Sequence, residues 1–119
     1  MKIFFSTLLV FLFIGFAARA QESVSVTGTW VMDVQTDAGS GSPTFVLKQD
    51  GEKIGGTYTG QLGDSPVTGT IKGMVIHLEF SIQGNLIKYD GTVTSSNDMS
   101  GKVDLAQMAS GTFTGKKKP

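Results

Sequence analysis

Cysteine is absent from the chain. Disulfide staples and thiolate chemistry are therefore excluded together. Helix periodicity is lacking too: no segment repeats its apolar residues at a spacing of three to four, and no glycine-rich stretch precedes a helix, which removes the phosphate cradles that depend on one. An excess of positive charge is also missing, since ten Lys and Arg face ten Asp and Glu. Such a balance gives no electrostatic footprint for nucleic acid. A long membrane-spanning run is missing as well. The one apolar stretch, Ile3 to Phe16, falls short of the roughly 20 residues that a spanning helix needs.

That stretch has another reading. Met1-Lys2 is a short basic start, the apolar run follows, and Ala18-Arg19-Ala20 is a small-x-small cleavage site. Residues 1–20 are expected to be a secretory signal peptide, with Gln21 opening an exported chain that is periplasmic or secreted and not embedded in a membrane. Removing Lys2 and Arg19 with that segment leaves eight basic side chains against ten acids, a formal charge of −2. The remaining residues form one domain, 21–115, which must close its core by packing alone. Lys116-Lys117-Lys118-Pro119 reads as a solvated basic tail, 116–119.

What the chain has in quantity is glycine, 16 residues in all, set among short alternating apolar and polar runs. The runs are broken about every ten residues by turn-forming clusters, the pattern of an all-β sandwich or barrel. Eight strands are predicted: Val24–Gln35, Thr44–Gln49, Lys53–Gln61, Val67–Lys72, Met74–Ile82, Leu86–Thr94, Met99–Leu105 and Ser110–Lys116. All connections but "DAGSGS" are short enough for hairpins, so an antiparallel up-and-down meander is expected. An exported open sheet would leave two bare edges; pairing Val24 to Asp33 with Ser110 to Lys116 would remove them by closing a small barrel.

Period two then sorts the side chains. Inward go Val24, Val26, Trp30, Met32 and Val34 from the first strand, and Phe45, Leu47, Ile54, Tyr58, Val67 and Ile71 from the next three. Met74, Ile76, Leu78, Phe80 and Ile82 follow, then Ile87, Tyr89, Val93, Met99, Val103 and Phe113. Six strands share one inward phrase, a glycine followed two residues later by a large apolar residue: Gly28/Trp30, Gly56/Tyr58, Gly69/Ile71, Gly91/Val93, Gly101/Val103 and Gly111/Phe113. Glycine inside a strand marks a sharp bend or a close approach, and alternating small with large inward residues fills a narrow barrel.

"VTGTWVMDV", "DGEKIGGTYTG", "YDGTV" and "GTFTGKKKP" resemble, in order, strands of the avidin and streptavidin family, and are similar in style to small exported bacterial barrels rich in this glycine repeat. The resemblance implies an eight-stranded up-and-down barrel with a ligand site at one mouth, where Tyr58 keeps the position of the family's ligand-binding tyrosine. It also implies that biotin is not the ligand. Met32 stands where the family has asparagine, Tyr89 replaces a tryptophan, and Gly111 replaces an aspartate. A buried ureido group would be left unpaired there.

No catalytic set is expected. His77 falls on an outward face beside Glu79, and Asp37, Asp64, Asp50, Glu52 and Asp98 all suit turns, the first two at one barrel end and the others at the opposite end. "DAGSGS" lacks the alternating oxygen ligands of a calcium loop, so neither metal nor cofactor is expected. Two functions stand: a non-enzymatic accessory module that meets a protein partner through its outer face, or a binder of a small, mostly apolar ligand at one barrel end. For the second, Trp30, Tyr58, Tyr89 and Phe113 are the candidate walls.

Overall fold

The computed structural model describes residues 25–119; Val24 and the signal-peptide reading of 1–20 lie outside the described residues. Those residues form a single antiparallel sheet that closes on itself into an eight-staved barrel. The strands are β1 Gly28–Thr36, β2 Gly39–Gly41, β3 Thr44–Asp50, β4 Lys53–Gly60, β5 Gly63–Lys72, β6 Val75–Ile82, β7 Asn85–Ser95, β8 Asp98–Leu105 and β9 Ala109–Lys117. β1 pairs with both β2 and β3, each strand from β3 onward pairs with the next, and β1 pairs with β9 to complete the ring. β2 lies within the expected "DAGSGS" loop. Thr36 faces Gly39, so the chain turns back at once over Asp37-Ala38, and β2 and β3 then share one stave along β1, interrupted at Ser42-Pro43. The Met32 amide bridges that interruption by donating to the Pro43 carbonyl.

Closure occurs between the expected partners, farther along β1. Trp30 faces Lys117 and Thr36 faces Gly111, whereas Ser25 to Thr27 leave the strand. They cross the barrel's end instead. The indole N–H of Trp30 donates to Val26 O at 2.9 Å, and the Val26 amide donates to the Gln49 side chain at 2.8 Å. The lysines at the other terminus are also part of the wall. β9 runs on through Lys117, Lys116 meets Asp98, and Lys117 lies with its ammonium 5.7 Å from the Trp30 ring.

The inward list is observed almost throughout. Residues from Val26 to Phe113 that period two sends inward are buried, and Trp30, Met32, Phe45, Leu78 and Val93 are fully so. Met74 is a correction: it sits in the turn after Gly73, is 41% exposed, and β6 begins one residue later. Asp64 is another, lying in β5 opposite Thr59 rather than in a loop. β5 starts four residues earlier than expected because Pro66 is tolerated there. The ladder to β6 begins only at Thr68, so the proline lies in an edge-like segment. Ser65, inward and buried, compensates by donating its hydroxyl to Ser81 O at 2.9 Å.

Five of the six repeated glycines share one physical cause. A methyl group at Gly56, Gly69, Gly91, Gly101 or Gly111 would overlap a carbonyl oxygen of the neighbouring strand: that of Val46, His77, Ser100, Asp90 or Gln35 respectively. The staves curl so tightly that backbone occupies the space a side chain would need.

On the outer wall His77 is held between two carboxylates, Nδ1 at 2.5 Å from Asp90 and Nε2 at 2.7 Å from Glu79. Both ring nitrogens are engaged, so neither is free to take a proton from a nucleophile. The hydrogen bonds to Glu79 and Asp90 raise the histidine's pKa above its usual 6.5 despite partial burial.

Two predictions follow from the wall. Gly111→Ala should lower the unfolding free energy in urea by about 3 kcal/mol, through overpacking against backbone. Gly55→Ala, which would meet nothing within 4 Å, should leave stability unchanged or raise it by about 0.5 kcal/mol; equal losses at both positions would contradict the steric account. For His77, the stabilised form is the cation. Its contribution is fully present below the unfolded pKa of about 6.5 and is lost as pH rises through the raised folded value. His77→Gln should therefore be less stable than the parent at pH 5 and equal to it well above the folded midpoint, with an NMR titration of His77 centred above 6.5.

Candidate functional site

The two ends of the barrel differ. The end that carries the turns at 51–52 and 73–74 is sealed by Val26 and Trp30, both fully buried, with the Gln49 side chain bonding Val26 N on one side and Gly51 O on the other. Gln49 is thus committed to holding the N-terminal segment.

The opposite end is formed by the loops around Asp37-Ala38, Gln61-Leu62, Gln83-Gly84 and Ala106-Gln107-Met108. There the packing stops short. A recess of about 390 Å³ is lined by Leu62, Ile82, Ile87, Leu105, Met108 and their neighbours. A smaller one of about 170 Å³ adjoins it across Ala38, Gln61, Leu62 and Leu105, and reaches Tyr58 and Tyr89. The larger falls in the range of about 300–1,000 Å³ usual for small-molecule sites. Two apolar side chains at its rim face water, Leu62 at 48% and Met108 at 74% exposure.

Local chemistry builds this mouth. Asp37 ties the first loop to β9: its amide donates to Ser110 O, and its carboxylate accepts the Ser110 amide at 3.0 Å. Among the described residues, the non-glycines with positive φ are Gln83 at 54°, Ala106 at 55° and Gln107 at 64°, all in mouth loops. At the sealed end the corresponding tight turns use Gly51 and Gly73. Left-handed backbone at alanine or glutamine costs roughly 1–2 kcal/mol per residue and concentrates at functional sites.

Beneath the recesses lies an aromatic floor. Tyr58 stacks on Phe80 with centroids 4.3 Å apart; Phe45 meets Tyr58 at 5.4 Å and Tyr89 at 5.1 Å; Phe113 backs Tyr89 at 5.0 Å. The Tyr58 hydroxyl lies under Gly60 and within hydrogen-bonding reach of the Leu62 backbone amide. Burial raises the pKa of Tyr58, and burial together with the neighbouring Tyr58 raises that of Tyr89 further, so both remain protonated phenols.

Of the four sequence candidates, the barrel brings Tyr58, Tyr89 and Phe113 into this one cluster. Tyr58 and Tyr89 line the inner recess, and Phe113 supports Tyr89 from behind. Trp30 is at the sealed end and lines neither recess. Leu62, Leu105 and Met108 were not singled out by sequence, yet a signal existed: "QLGD" and "AQMA" place a large apolar residue in a turn, where polar ones are the rule.

Asp98 accepts from Ser95 and Lys116, and no group of three or more His, Asp or Glu is placed to hold a metal among the described residues. Among the described residues no helix is long and apolar enough to cross a membrane, which says nothing of strands.

No protein-family model matches the chain, and no curated protein sequence does. Solved structures match over most of the barrel. One described as a redesigned beta barrel, mFAP0, bound to DFHBI is 14% identical, with a TM-score of 0.58, covering 76% of this chain and 97% of that one. EF1p2_mFAP2b bound to DFHBI is 12% identical, with a TM-score of 0.58, covering 78% and 93%. The redesigned barrel mFAP1 bound to DFHBI is 13% identical, with a TM-score of 0.57, covering 77% and 94%. At these identities the likeness establishes a shared barrel fold.

Proposed function

We propose that the protein is an exported, non-enzymatic barrel that binds a small, mostly apolar ligand at its open mouth. The observation that carries this is the asymmetry of the ends: one is sealed by a buried indole and a crossing segment, while the other keeps an apolar recess with apolar side chains left in water around it. Exposing Leu62 and Met108 costs hydrophobic free energy, and a ligand that covers them recovers it.

Three further points support the reading. Solved barrels of this architecture carry DFHBI, so the fold has room for a bound molecule. The strand phrases that resemble the avidin family also point to one barrel mouth, although Met32, Tyr89 and Gly111 give that mouth different chemistry. The absence of charged side chains among the recess linings fits an apolar ligand. Export follows from the leader-like segment at residues 1–20. A protein partner met through the outer wall is the competing role.

Titration with the neutral dye N-phenylnaphthylamine tests the proposal. The expected result is enhanced, blue-shifted emission that saturates, with binding about tenfold weaker in a Leu62→Asp/Met108→Asp variant that keeps its far-ultraviolet dichroism. No saturable binding, or equal affinity in the variant, would return the function to the outer wall.

A further inference from the structure

Most polar groups buried in this barrel have a protein partner. Ser65 donates to Ser81 O, the Trp30 indole donates to Val26 O, and the Tyr58 oxygen is placed to accept from the Leu62 amide. Tyr89 is the exception. Its side chain is as buried as Tyr58's, at 3% exposure, and among the described residues no protein group hydrogen-bonds its hydroxyl. Tyr89 lines the inner recess, and no charged side chain lines it beside the tyrosine. A buried phenol without a partner is costly, and in the free barrel water at the foot of the recess must serve it.

We propose that the Tyr89 hydroxyl is a recognition donor, and that the ligand is a neutral, largely apolar molecule bearing one acceptor oxygen, such as a ketone, ester or amide carbonyl. The inference rests on the reading of the mouth as a ligand site. An acceptor is favoured over a donor because the ring draws on the phenol's oxygen lone pair, making the group a better donor than acceptor. A neutral oxygen is favoured over a carboxylate because neither recess is lined by Lys, Arg or His, so an anion would be desolvated with no counter-charge. Burial and the adjacent Tyr58 hold the Tyr89 proton in place, so the donor persists at every physiological pH.

Three compounds on one ring system separate the possibilities by calorimetry: ethylnaphthalene, acetonaphthone and naphthoate. The ketone should bind about tenfold tighter than the hydrocarbon and the anion most weakly. Tyr89→Phe should abolish the ketone's advantage, leave the hydrocarbon's affinity within about twofold, and unfold in urea no earlier than the parent, since no protein partner is lost. If the parent binds ketone and hydrocarbon equally, or if Tyr89→Phe keeps the preference, the donor role is overturned while the mouth remains a ligand site. If none of the three binds, both the donor role and the mouth reading fall.

Discussion

The molecule depends on how closely its strands approach at the inward glycines. At five of them a neighbouring carbonyl fills the space where a side chain would begin. This contact sets the curvature, the curvature lets β1 reach β9, and closure removes the two edges that an open sheet would leave bare. It also sets the bore. With glycine and large residue alternating along the staves, the interior is filled by Phe45, Leu78, Val93, Met99 and Phe113, each nearly or wholly buried. A ligand cannot run through such a barrel; space can persist only where the staves end.

Which end stays open is decided by the termini. Both the segment before β1 and the end of β9 emerge at the same end, and the chain uses them to seal it. Val26 lies across the opening, Trp30 hydrogen-bonds to it, Gln49 pins it, and Lys117 packs over the indole. Among the described residues, neither terminal segment reaches the other end. Its loops are short, partly left-handed at non-glycine residues, and carry Leu62 and Met108 into water. The open mouth is a result of topology, and its apolar character is a result of the residues placed in its turns.

Much of this is legible in the sequence. Period two separates inside from outside, and the glycine phrases imply the curl that closes the ring. Alternation carries no information about height along a strand, which is why Trp30 and Tyr58 read as walls of one site although only Tyr58 lines a recess. Height is fixed by the β1–β9 register, where Trp30 faces Lys117, and that register depends on all eight staves at once. The hidden strand β2 escaped for a related reason: "GSG" carries a single small side chain, Ser40, and so shows no alternation. Ser65 was masked by the proline that follows it.

The central claim is that one end of a filled barrel takes up an apolar molecule. Methyl NMR of the isoleucine and leucine side chains, recorded with and without saturating N-phenylnaphthylamine, tests it most directly. The account predicts shifts at Leu62, Ile82, Ile87 and Leu105 around the mouth, with Ile54, Ile71 and Ile76 toward the sealed end unmoved. Shifts concentrated at the sealed end, or no shift at any mouth methyl, would contradict it.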